Sequence, residues 1–126
     1  MYQAYGLLRP ASNFTLDDAA ERLRLKFPGC SVTRNGDQIT VAKGDWEIEL
    51  RLNTDPGVLA ESADLAEKIA GMEDGGDIAA CSRRVDVWSD TPDPMMEYFN
   101  DFVLVIEVLQ SFQGVIAIDP REPALM

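Results

Sequence analysis

The chain has 126 residues, 46% of them hydrophobic and 26% charged, which suits a single globular domain and argues against bulk disorder. Its formal net charge of −11 repels nucleic acid and anionic membranes and draws cationic partners. Histidine is absent, so Ser-His-Asp or Cys-His catalysis within one chain and imidazole-dependent metal sites are excluded.

Tyr2 to Leu8 reads as an opening strand ended by Arg9-Pro10, and this start lacks the basic leader and long apolar stretch of a secretory signal. Thr15 is placed to cap a helix, with Asp18 following as in a capping box and Phe14 as a hydrophobic staple. Leu16, Ala19, Ala20, Leu23 and Phe27 then form one apolar stripe, and Pro28-Gly29 stops the helix. Three strands follow closely. Cys30 to Arg34 and Asp37 to Ala42 flank Asn35-Gly36, a dipeptide suited to a type I′ hairpin turn, and Lys43-Gly44-Asp45 makes the next turn. Trp46, Ile48, Leu50 and Leu52 alternate with Glu47, Glu49 and Arg51, giving one apolar and one charged face.

Asp55-Pro56 opens a second helix, lined on one face by Leu59, Ser62, Leu65, Ala66 and Ile69, with Gly71 as its terminator. Met72 to Asp77 reads as a flexible acidic loop, and Arg83 to Ser89 as a further strand. Asp93 as cap and Pro94 at the first helical position predict a long helix reaching about Phe112 and closed by Gly114. That helix is apolar around most of its circumference, so it must pack against more than one layer or against another subunit. Val115 to Ile118 is the last strand before Asp119-Pro120, and the tail beyond Arg121 is expected to fray.

The resulting order, β-α-β-β-β-α-β-α-β, predicts an α+β fold: a two-layer sandwich with a mostly antiparallel sheet of five to six strands and three helices, forming one domain over residues 1–126. No apolar run approaches the roughly 20 residues needed to cross a bilayer. Cys30 and Cys81 form no CxxC pair and have no histidine base, which predicts free, buried thiols in a reducing cytoplasm.

The charge is unevenly placed. Residues 1–54 carry seven acidic and seven basic side chains, whereas residues 55–126 carry fifteen acidic and four basic. Asp90, Asp93, Glu97 and Asp101 are spaced to share one side of the last helix and the loop leading into it. Such an oxygen cluster can attract a hard cation, but acids at a helix start also complement its dipole. Neither EF-hand spacing nor a P-loop lysine is present, and no cofactor motif is found. If Val85 and Val87 face the core, then Arg84, Asp86 and Trp88 point to the open face of the sheet, beside Glu47, Glu49 and Arg51. An outward Trp and Arg bordered by acids has the composition of a protein-binding hot spot.

The segment Val85-Asp86-Val87-Trp88-Ser89-Asp90, Met96-Glu97-Tyr98-Phe99-Asn100-Asp101 and Gly114-Val115-Ile116-Ala117-Ile118-Asp119 resembles small acidic bacterial α+β proteins of uncharacterised function, some of them immunity partners of polymorphic toxins. The resemblance covers about a third of the chain and implies a non-enzymatic binder. The reading reached is a cytoplasmic protein-binding module, an acidic inhibitor of a basic, toxin-like partner, with Arg84, Trp88, Asp90, Asp93, Glu97 and Asp101 as its docking residues. Neither nucleic acid nor membrane is expected as a partner. Two alternatives stand beside it: a carboxylate- and Mg²⁺-dependent enzyme or ligand-binding domain, and a structural subunit that forms a homodimer through the Pro94–Phe112 helix.

Overall fold

The strict alternation of apolar and charged residues in the central meander decides which way each strand faces, and the rest of the molecule is arranged around that choice. The computed structural model describes residues 2–69, 75–121 and 124–126. In chain order the elements are β1 (Tyr2–Leu8), α1 (Leu16–Lys26), β2 (Ser31–Asn35), β3 (Gln38–Lys43), β4 (Trp46–Asn53), α2 (Gly57–Lys68), α3 (Gly75–Ala79), β5 (Arg83–Ser89), α4 (Phe99–Gln110), β6 (Val115–Asp119) and β7 (Ala124–Leu125). The strands form one antiparallel sheet in the order β2-β3-β4-β5-β1-β6-β7, the last contributing only two residues. The α+β class is thus as the sequence predicts.

Ala4 and Leu8 of β1, Ile48 and Leu50 of β4, and Val85 and Val87 of β5 face the main core, covered by α1 and α4. Gly6 is on the same side, where an added Cβ would lie 3.3 Å from Leu109 Cδ1; the missing side chain lets α4 approach the central strand. Thr15 caps α1 as expected, its hydroxyl accepting the Asp18 N–H at 3.1 Å. The wide apolar surface of α4 has two neighbours within the chain. One is the sheet, and the other is α1; just beyond α4, Phe112 meets Phe14, which precedes α1, with ring centroids 5.0 Å apart, and lies under Arg22 of α1.

A second, smaller core lies on the opposite face of the sheet. There Leu7, Ile116 and Ile118 pack against Leu65 of α2, Ile69 just beyond it, Ile78 of α3 and Cys81. The sandwich therefore gains a third layer over β1 and β6, because every residue of Val115-Ile116-Ala117-Ile118 is apolar and both faces of that strand must be covered. Among the described residues no helix packs on this second face across β2, β3 and β4.

Local readings are corrected in four places. The second helix begins at Gly57, with Pro56 and not Asp55 at the cap position, and its buried face runs through Val58, Ser62 and Leu65 while Leu59 is exposed. Asn35 belongs to β2 and pairs with Gln38, so the tight turn is Gly36-Asp37. Only Gly36 has a positive φ there, 64°, as a type II′ turn requires at its first central position. The predicted helix from Pro94 begins instead at Phe99. Met96 takes a φ of 53°, a left-handed value that a right-handed helix cannot propagate. Asp77, read as part of a loop, lies in α3. Gly71, Met72, Glu73, Asp74, Glu122 and Pro123, on which the terminator, loop and tail readings fall, lie outside the described residues. Among the described residues no helix is long and apolar enough to cross a membrane.

Candidate functional site

The uncovered sheet face is built by the same alternation that builds the core. Because Ile48, Leu50, Val85 and Val87 point to α1 and α4, the intervening residues of β4 and β5 project the other way. Trp88 lies between Glu49 of β4 and Gln3 of β1, its directly paired neighbours. Arg51 and Tyr5 flank Asp86 in the next row, and Thr40 and Ala42 of β3 extend the surface beside Glu49 and Glu47. Trp88 is half-buried, with a cleft on each side. One, of about 270 Å³, is lined by Gln3, Tyr5, Arg51, Arg84, Asp86 and Trp88. The other, of about 400 Å³, is lined by Tyr2, Gln3, Trp88, Asp90 and Arg121.

The charges around the indole are unequally satisfied. Arg51 pairs with Asp37 at 3.5 Å, and Asp86 accepts from Arg84 Nε at 2.7 Å and from Asn53 Nδ2 at 3.1 Å. Among the described residues Glu47, Glu49 and Asp90 form no ion pair. Glu49 shows the result: burial raises its pKa above the ordinary carboxylate value, and Glu47 and Asp90 raise it further. A half-buried carboxylate beside two like charges, with no ion pair among the described residues, gains from an arriving positive group.

Of the six residues proposed from the sequence, Trp88 and Asp90 come together here. Arg84 faces the same side of the sheet but is only 6% exposed, and its guanidinium is spent within the protein. It holds Asp86, reaches across to Glu61 on α2, and lies 4.0 Å over the Tyr5 ring, tying the second helical layer to the sheet. Asp93, Glu97 and Asp101 do not share a helical face with one another, since the helix starts beyond the first two. The Asp93 carboxylate accepts the Tyr2 hydroxyl at 2.6 Å and the N–H groups of Glu97 at 2.7 Å and Tyr98 at 3.2 Å. Burial acts to raise the Asp93 pKa, yet these three donors outweigh it and hold the carboxyl below its ordinary value. Tyr2 moves the opposite way, pushed up to about 12 by burial and by the Asp93 carboxylate. This carboxylate organises a turn and an aromatic corner, where Tyr2 meets Phe99 and Phe102 at centroid distances of 5.3 Å. Asp101 lies on α4, on the other side of the sheet from Trp88.

The sequence-based set omitted Glu47 and Glu49, although their place in the alternation of β4 marks them for the Trp88 surface. It also missed the Arg84–Glu61 link, which joins a strand to a helix 23 residues away and leaves no local signal. Among the described residues no three histidine, cysteine or acidic side chains are grouped to hold a metal ion. Cys81 is buried and Cys30 half-buried, both free, and burial raises both thiol pKa values, which disfavours the nucleophilic thiolate. In comparisons with protein families, curated proteins and solved structures, nothing matches the chain.

Proposed function

We propose that this is a cytoplasmic protein-binding module that inhibits a basic, toxin-like partner by laying the open sheet face around Trp88 over that partner's cationic surface. The observation that carries the reading is the set of carboxylates, Glu47, Glu49 and Asp90, that form no ion pair among the described residues, around a half-buried indole on a face where no described helix packs. Long-range attraction from a chain of charge −11 raises the association rate, and Trp88 contributes the apolar contact that makes docking selective. Because Asp93 is committed to its turn and Arg84 to its own ion cluster, the docking surface is centred on β4 and β5.

Calorimetric titration of basic nuclease domains into the protein tests this. Binding should weaken by about tenfold or more between 50 and 300 mM salt, and Trp88→Ala should abolish it. A complex equally tight at both salt concentrations, or untouched by Trp88→Ala, refutes docking by this face.

A further inference from the structure

We infer that Trp88, set between Glu49 and Gln3 with a cleft on either side, is the socket for one arginine side chain of the basic partner. The inference rests on the reading just given and specifies what the face recognises.

The indole is available as a platform. Trp88 is half-buried, its strand neighbours are short or flexible polar side chains, and the two clefts adjoin it along the strand direction. A cation over an indole is held by the ring quadrupole, most strongly for Trp among the aromatic residues, and arginine fills this role more often than lysine. Its guanidinium is planar, so it can stack on the ring while its edge donates to a carboxylate. Glu49 is the directly paired neighbour of Trp88 and presents an acceptor at that edge, while Glu47 on β4 and Asp90, just past the end of β5, add charge nearby. A guanidinium is also less strongly hydrated than an ammonium and is more easily brought against a half-buried carboxylate.

The positive residues already present do not compete for the socket. Arg51 is engaged by Asp37, Arg84 by Asp86 and Glu61, and Arg121, which borders the second cleft, by Asp119 at 3.9 Å. The opposite surface shows the contrast: the 340 Å³ groove between α1 and α4 is lined by Arg22, Leu25, Lys26, Glu107, Val108 and Ser111, and its cations would repel a basic partner. The recognised group is therefore addressed to one side of the molecule.

The chain contains two tryptophans, so its amide NMR spectrum carries two indole N–H signals, and Trp88→Leu identifies which belongs to the socket. The probes are two capped pentapeptides of equal charge, acetyl-Gly-Arg-Gly-Arg-Gly-amide and its lysine counterpart, titrated at 20 mM salt. The arginine peptide should move the Trp88 signal and bind at least threefold more tightly than the lysine peptide. Glu49→Gln, checked for an unchanged spectrum elsewhere, should remove that preference, as should Trp88→Leu. Equal affinities with an unmoved Trp88 signal would overturn the socket while leaving electrostatic docking by this face intact. Binding of neither peptide, with no change at Trp88, would overturn both.

Discussion

Replacing Arg84 by alanine is the perturbation whose cost the structure defines best. The Arg84 side chain is 8% exposed, and its main partner, Asp86, has a side chain only 21% exposed. Deleting one member of a buried pair strands the other charge, at about 3–5 kcal/mol when burial is complete. Asp86 keeps some solvent and the Asn53 amide, so the cost falls to the foot of that range or just below it, about 2–3 kcal/mol. Loss of the cation over the Tyr5 ring, at 4.0 Å, adds about 1 kcal/mol. The Glu61 contact adds little, because that carboxylate is 57% exposed. A total of about 3–4 kcal/mol, divided by a urea m-value of roughly 1.5 kcal/mol per molar, lowers the unfolding midpoint by about 2 M. Urea titration followed by far-ultraviolet circular dichroism measures it. The double variant Arg84→Ala with Asp86→Ala should regain about half the loss, since no carboxylate is then left stranded. A midpoint shift below about 0.5 M for the single variant would show that the cluster does not hold α2 to the sheet, and the reasoning would be refuted.

Two other perturbations follow from local geometry. Gly114 has a φ of 78°, and an added Cβ would lie 2.9 Å from the Ser12 backbone, so Gly114→Ala should cost at least about 2 kcal/mol, read as a lowered thermal midpoint. Asp93→Asn should destabilise the protein at pH 7, by an amount that shrinks on acidification. A carboxyl whose folded pKa is depressed stabilises the fold above its unfolded value, near 3.9, and loses that contribution as pH falls through the folded value. Melting curves of both proteins from pH 7 to pH 2 check this; a gap that stays constant or widens would exclude the Asp93 carboxylate as its source.

The parts of this fold that were legible in the sequence are those encoded locally. The Thr15 cap, the turn signals and the alternation of β4 each act over a few residues, and the structure bears out the elements they specify. The one-residue shift at Gly36-Asp37 shows the limit of such signals, because Asn-Gly and Gly-Asp both satisfy a tight hairpin and the pairing of Asn35 with Gln38 decides between them. Asp93-Pro94 misled in a similar way. An Asx cap followed by proline is as good for a single turn as for a helix, and the positive φ of Met96 that separates the two is invisible in the residue type. The second helical layer could have been read from β6, whose consecutive apolar residues require cover on both faces. The Trp88 surface followed from alternation alone. What singled out Glu49, and removed Arg84, was knowledge of which charges have partners, and those partners are distant in the chain.

The position of β1 also has a consequence for how this molecule is made. β1 sits between β5 and β6, pairing Tyr2 with Ser89 and Leu8 with Val115, partners distant from it along the chain. The β2–β4 meander can close on itself early, but the middle of the sheet must wait until β5 and β6 have been synthesised. Until then β1 offers two unsatisfied edges, so acquisition of the native state is governed by distant closure and is slow for a domain of this length.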